Sequence, residues 1–342
     1  MGRGHAVKII FNCHIPFMLA HGGQQIQIEQ TKAALEQLGV SVEPLRWWDA
    51  SQDGDVFHQF ARVPMELLDK AHEKGWKVVT SAFLSGPGAR PRWLRLAHKL
   101  SLRVLRPTAP RLIRYTFNWD SYRLSDACIA MTPYEASLLT GIQSVPPSRV
   151  HVIPNGVEDV FLRSQPAARG QWLVCTAAII ELKQVLKLAQ MAVKAGTPLW
   201  VIGKPYSDAT DYAKRFLEYA RQNSSIVRYE GPIADRARLA CIYREARGFV
   251  LLSKWESLSL SALEAAACGC PLLLSDLPWA RRTFKATASY CRSNRAVGES
   301  AAVLRRFYDA APGLEPPPPP MSWLDVAGQL KALYESLLPG RA

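Results

Sequence analysis

No stretch of the 342-residue chain approaches the roughly 18 consecutive apolar residues that a membrane-spanning helix needs. The N-terminus carries a short apolar run, "AVKIIFNC", but no long apolar core with a small-residue cleavage site, so no signal peptide is expected. The seven cysteines are scattered and include no C-x-x-C pair; Cys268 and Cys270 stand too close for ordinary chelation and have no second pair. This argues against a disulfide framework or a zinc ribbon and fits reduced thiols in a cytoplasmic protein. No G-x-G-x-x-G follows a strand, which speaks against dehydrogenase chemistry. The only D-x-D, Asp53-Gly-Asp55 ahead of "VFHQF", reads as a turn entering a strand. No metal and no cofactor are expected.

Acid is also missing, locally, from residues 90 to 114, "RPRWLRLAHKLSLRVLRPTAPRLIR", which hold eight Arg/Lys of a chain with net charge +13. At about 100° per residue, Arg92, Arg95, Lys99, Arg103 and Arg106 fall within about 80° of one another. Trp93, Leu96, Ala97, Leu100 and Val104 fall on another side. The pattern is a basic amphipathic helix stopped by Pro107. It serves either as a solvated charged face or as a contact for anionic lipid headgroups, which would make the protein peripheral on the cytoplasmic face of a membrane. Nucleic acid is disfavoured, because no aromatic or glycine-rich nucleic-acid motif accompanies the charge.

What is present is an alternation of strand and helix patterns in a chain of 48% hydrophobic and 21% charged residues, the composition of a globular protein. "AVKIIFNC", "DVFHQF", "KVVTSAF", "DACIAMT" and "VHVIPNG" read as strands, with a helix "IQIEQTKAALEQLG" after the first. After a polar connection the alternation restarts near residue 171 with "WLVCTAA", "PLWVIG", "IVRYEG", "GFVLLS" and "PLLLSD", separated by helical stretches. This predicts an α/β fold of two doubly wound parallel sheets, which would hold ligands at the carboxyl ends of their strands. The tract "PPPPP" at 316–320 is a stiff spacer before a terminal helix, "SWLDVAGQLKALYESLL".

The candidate site elements sit at such strand ends. Gly22 and Gly23 follow the first strand, where backbone without side chains can approach a phosphate. Lys183 follows the first strand of the second half, near a helix start. Most specific is "KWESLSLSALEAAACGCPLLLSD", with Glu256 and Glu264 eight positions apart in a small, apolar run. Ser257 and Ser259 are N-cap candidates, so the amides of Leu258 to Leu260 are expected at a helix start that suits a diphosphate. Glu264 lies two turns further on, among Ala262, Leu263 and Ala265. Burying an unpaired carboxylate is costly, whereas vicinal hydroxyls of a ribose or sugar are natural partners for one.

This segment resembles the E-x7-E signature of retaining glycosyltransferases of the two-Rossmann-domain (GT-B) type, group 1 or family 4. "HVIPNGVE" looks like the family's interdomain junction, "LVCTAAIIELKQVLKLA" its donor-phosphate segment and "DACIAMTPYEASLL" its last N-domain strand and helix. The resemblance implies two facing Rossmann-like domains: residues 1–165 binding acceptor, 166–318 binding donor, and a terminal helix, 319–342, that crosses back to the first domain. It implies that Glu264 holds ribose hydroxyls and Glu256 the transferred sugar. Lys183, Gly23 and the backbone at Leu258 to Leu260 would neutralise the diphosphate, with Gly203 also on the donor side. The donor would be a UDP- or GDP-sugar and the acceptor a glycan or lipid. Three positions depart from the family pattern. Ala178 stands where an arginine usually precedes the lysine by five positions, Ser257 and Ser259 replace glycines, and Ser81 stands near the place of an N-domain histidine. His14, His21 and His58 lie in the same half and, with Ser81, are the acceptor-side candidates. Two other readings stay open: a degenerate glycosyltransferase acting as a nucleotide-sugar-binding or scaffold protein, and a nucleotide-sugar epimerase or hydrolase.

Overall fold

The structure is a computed structural model and describes residues 7–14, 17, 22–84, 86, 91–163, 167–207 and 210–338. The chain forms two compact units, Met1–Asn155 with Trp323–Ala342, and Gly156–Ser322.

The first unit is built on six strands: β1 (Lys8–Cys13), β2 (Ser41–Pro44), β3 (Val56–Phe60), β4 (Lys77–Ser81), β5 (Ala127–Ala130) and β6 (Val150–Val152). All pairings are parallel, in the order β2-β1-β3-β4-β5-β6. Its helices are α1 (Gly23–Gln37), α2 (Met65–Glu73), α3 (Arg92–Thr108), α4 (Arg111–Thr116), α5 (Ser121–Leu124) and α6 (Pro133–Gly141), joined by the C-terminal helix Trp323–Ser336. Every residue of β3 is buried, as expected of a central parallel strand covered on both faces. The edge strand β2 was missed by the sequence reading, because "SVEP" offers only one buried residue and no apolar run. Asp55, the second acid of the D-x-D, accepts the Lys8 amide at 2.9 Å, and so ties the turn to β1.

The C-terminal helix packs on α1, where Lys331 Nζ donates to the Leu38 carbonyl at 3.0 Å. Its Tyr334 hydroxyl lies 2.6 Å from His58 Nδ1 on β3, and His58 Nε2 lies 2.8 Å from Ser81 Oγ on β4. His58 also stacks on Phe60. Burial lowers its pKa to about 3, so the ring is neutral. With His58 at 1% and Ser81 at 4% exposure, these two acceptor-side candidates are interior groups that bond each other.

The second unit has β7 (Leu173–Thr176), β8 (Leu199–Ile202), β9 (Val227–Tyr229), β10 (Gly248–Leu251), β11 (Leu272–Ser275) and β12 (Ser289–Cys291), all parallel, in the order β12-β11-β10-β7-β8-β9. Its helices are α7 (Asp159–Leu162), α8 (Val185–Ala195), α9 (Asp211–Gln222), α10 (Arg236–Glu245), α11 (Leu260–Ala267), α12 (Pro278–Phe284) and α13 (Val297–Ala310). Successive strands run outward from β7 in one direction and from β10 in the other. The topological switch point, where such sheets hold ligands, is therefore the gap beyond the carboxyl ends of β7 and β10.

The unit begins at Gly156, ten residues before the boundary that the resemblance implied. The cause is packing. Phe161 of α7 is fully buried beside Tyr243, and Val157 bridges Ser322 at the far end of the unit.

Candidate active site

Two loops leave the switch point of the second unit. The one after β7 ends in a short 3-10 turn, Glu181–Lys183, followed by Gln184 in the left-handed region and then α8. The one after β10 runs through Ser253 and Glu256 to the cap of α11. Main-chain and side-chain bonds zip the two together: the Lys254 amide donates to the Leu182 carbonyl at 2.8 Å, and Lys254 Nζ reaches Glu181 at 2.5 Å. Lys183 Nζ thereby meets Glu256 Oε1, which also accepts from Ser253 Oγ at 2.9 Å. Neither side chain is sealed off, with Lys183 at 21% and Glu256 at 13% side-chain exposure. A cation and a carboxylate thus sit together at the mouth of the sheet.

The helix that follows begins at Leu260, the last of the predicted amides. Ser259 is its N-cap and accepts from the Ala262 amide at 3.3 Å; Ser257 has no capping role. Leu258 and Leu260 bury their side chains, so the segment offers its main chain rather than its side chains. First-turn amides lack partners within a helix and favour anions.

Glu264 is buried, 5% exposed, but it is not unpaired. Arg236, at the first position of α10, donates from Nη2 to Glu264 Oε1 and from Nε to Glu158 Oε1 at 2.8 Å. Its guanidinium lies 4.7 Å from the centre of the Phe161 ring. The Tyr243 hydroxyl is 3.4 Å from Glu264 Oε2. Burial pushes the Glu264 carboxyl above the usual range, and Arg236 pulls it back. The sequence reading missed Arg236 and Glu158. A signal was available: an arginine in the first turn of a helix opposes the helix dipole, so its position in "ADRARL" calls for an anionic partner.

Gly203, after β8, has φ +148, and a Cβ there would stand 1.9 Å from the Ala177 carbonyl oxygen. Its neighbours Ile202 and Lys204 accept from the amides of Ala177 and Ile179 at 3.0 and 3.1 Å. Gly203 therefore supports the loop that carries Lys183. Ala178, in the same loop, leaves the place of the family arginine without charge.

In the first unit, Gly22 caps α1 with φ +148 and Gly23 opens the helix. His14 follows β1, with Nε2 3.1 Å from the Arg62 carbonyl beyond β3; β1 and β3 are the strands between which this sheet reverses order. His21 lies outside the described residues.

The basic helix buries Leu102 and leaves most of its apolar side chains outward, and it runs through Pro107 in its last turn rather than stopping there. Arg95 donates to the Tyr134 hydroxyl at 2.7 Å, and Arg106 to the carbonyls of Gln143 and Trp119 at 3.0 and 2.5 Å. These two arginines, expected at a membrane, are engaged with the protein. Outward stand Trp93 (70% exposed), Leu100 (52%) and, on α4, Leu112 (77%), with Lys99 and Arg103 exposed beside them. The side chain of Arg92 lies outside the described residues.

Two six-stranded parallel Rossmann-like units, the second carrying a carboxylate and a lysine at its switch point, are the build of a GT-B glycosyltransferase. The model for group 1 glycosyl transferases matches residues 173–308, and that for glycosyltransferase family 4 matches residues 3–160. The chain belongs to the group 1, family 4 glycosyltransferases and uses a nucleotide-sugar donor. It is 30% identical to D-inositol 3-phosphate glycosyltransferase of Actinosynnema mirum, over 74% of this chain and 75% of that one. It is also 30% identical over 146 residues, 39% of this chain and 36% of that one, to a GDP-mannose:cellobiosyl-diphosphopolyprenol alpha-mannosyltransferase of Xanthomonas oryzae. Among solved structures, Anabaena Alr3699/HepE in complex with UDP and glucose superposes with a TM-score of 0.63 at 11% identity, over 97% of this chain and all of that one. Sucrose-phosphate synthase of Thermosynechococcus elongatus gives 0.63 at 18% identity, over 97% and 99%.

Proposed function

We propose that the protein transfers a sugar from a UDP- or GDP-sugar to a hydroxyl of a glycan, lipid or lipid-linked acceptor, with retention at the anomeric carbon and without a metal. The observation that carries this is the contact of Lys183 with Glu256 at the switch point, beside the cap of α11. In the bound state Lys183 and the first-turn amides of α11 neutralise the diphosphate, Glu256 orients the transferred sugar and Glu264 accepts ribose hydroxyls. The bond from the anomeric carbon to the phosphate oxygen breaks, and the acceptor oxygen attacks from the same face. Its proton passes to the departing phosphate oxygen, so no protein nucleophile is needed. The protein contributes orientation and charge stabilisation.

A thermal-shift panel of UDP, GDP, ADP and TDP with their sugars tests the reading. One nucleotide should stabilise the wild type selectively, and Glu264→Ala should lose that shift. Loss of two hydroxyl bonds to a charged group costs about 3 kcal/mol, or about 100-fold in affinity. The uncharged Ala178 favours one rival, a binding module without turnover. That rival predicts a nucleotide shift but no transfer to any acceptor. Sugar released or epimerised without acceptor would favour the hydrolase or epimerase.

We further propose that α3 and α4 rest on an anionic membrane surface, which suits a lipid-linked acceptor. The outward apolar residues flanked by Lys99 and Arg103 support it, since apolar insertion and headgroup attraction then act together. Flotation should show a preference for vesicles containing phosphatidylglycerol over pure phosphatidylcholine. Leu100→Asp should weaken binding about tenfold or more, given about 1.5–3 kcal/mol for one buried leucine. Equal binding to both vesicles would overturn the membrane role.

A further inference from the structure

We infer that Arg236 is a positioning residue for the nucleotide ribose: it keeps Glu264 ionised and orients its carboxylate for two vicinal hydroxyls. The inference rests on the nucleotide-sugar reading of the second unit and adds to it a residue outside the E-x7-E segment.

A carboxylate offers about four lone-pair positions. Arg236 takes one on Oε1, and Tyr243 approaches Oε2 only at 3.4 Å, so acceptor capacity remains on both oxygens. Arg236 is itself held on three sides, by Glu158 at 2.8 Å, by Glu264 and by the face of Phe161. Such a guanidinium is a fixed fork rather than a mobile surface charge. The other groups facing Glu264 work against its charge or are neutral. Glu158 repels it, and Tyr243 on α10 stays protonated because burial raises its pKa well above the ordinary value. Cys268, on the same helix, is a buried thiol. The packed strands β10 and β11 bring only Gly248–Leu251 and Leu272–Ser275, none of which titrates. Arg236 is thus the one cation that faces this carboxylate among the described residues. Without it, Glu264 would share a buried site with a second carboxylate, and burial and Glu158 would together favour its protonated form. A protonated carboxyl donates where the ribose hydroxyls also need to donate.

The test is calorimetric titration of the wild type, Arg236→Met and Arg236→Lys with UDP and GDP and their 2′-deoxy forms, at pH 6 to 9. The wild type should bind one ribonucleotide in preference to its deoxy form, with a pH profile that includes the ionisation of the nucleotide's own terminal phosphate near pH 6 and serves as the reference. Arg236→Met should bind weakly at pH 6 and recover towards pH 9, with a change of up to about tenfold per pH unit below the Glu264 pKa. Arg236→Lys, which keeps the charge, should follow the wild-type profile, and it tests the idea even if the Met variant folds poorly. Adding Glu158→Gln to Arg236→Met should move the slope to lower pH, an effect that a merely structural arginine would not produce. An Arg236→Met that binds weakly but parallels the wild-type pH profile, or an Arg236→Lys that departs from that profile, overturns the inference while leaving the donor site standing. No binding by the wild type to either nucleotide overturns both.

Discussion

Replacing Lys183 with alanine lowers sugar transfer by roughly 10²–10³-fold, the usual loss when one preorganised charge at a developing anion is removed. The lysine is the cation placed against Glu256 where the loops after β7 and β10 meet, and Ala178 supplies no second charge at the usual family position. The loss should appear mainly in kcat, because the phosphate charge grows as the bond to the sugar breaks. Lys183→Arg should recover part of the rate by restoring charge with different geometry. Initial rates with the donor picked out by thermal shift provide the measurement. A fall of less than about threefold would remove Lys183 from the chemistry, and would leave its contact with Glu256 as a link between loops.

The largest expected effect on stability is that of Gly203→Ala. The new methyl would stand 1.9 Å from the Ala177 oxygen, a backbone atom that cannot swing away, at a φ of +148 that L side chains rarely adopt. We expect a loss of about 4 kcal/mol or more. For a unit of this size that lowers its melting temperature by about 8–16 °C. Gly196→Ala is the control: its φ is +62, but nothing lies within 4 Å of the added Cβ, so only the backbone cost of about 1 kcal/mol should appear. If both variants melt alike, the contact with Ala177 is not limiting. Transfer activity should fall with Gly203→Ala as well, because the amides of Ala177 and Ile179 bond to Ile202 and Lys204 on either side of Gly203. That same loop delivers Lys183. Gly203 was expected on the donor side, and its observed constraint is approach to another loop.

The alternation of strands and helices was legible because parallel central strands are apolar throughout: "GFVLL" and "PLLLS" show no polar face to confuse the period. Two of the four edge strands, Ser41–Pro44 and Ser289–Cys291, were not legible, since "SVEP" and "SYC" hold no apolar run, whereas the edges Val150–Val152 and Val227–Tyr229 were read. The spacing of Glu256 and Glu264 was equally visible, as a local feature of one loop and one helix. The interior place of His58 was not legible for a corresponding reason: its partners, Ser81 and Tyr334, arrive from 23 and 276 residues away. The α3 helix showed its two faces plainly, but not which one the protein would use. Arg95 and Arg106 found partners at Tyr134, Gln143 and Trp119, and the apolar face was left outward.

By itself, the sequence determined the fold class, the two-unit organisation and the helix-start segment with its two carboxylates. Those depend on hydrophobic period, caps and spacing, which act over a few residues. Only the tertiary structure decided that Lys183 meets Glu256, that Glu264 is held by Arg236 and Glu158, and that His58 is interior. Each of those joins elements through the order of strands in a sheet, and partner choice across such distances follows from packing rather than from any local pattern.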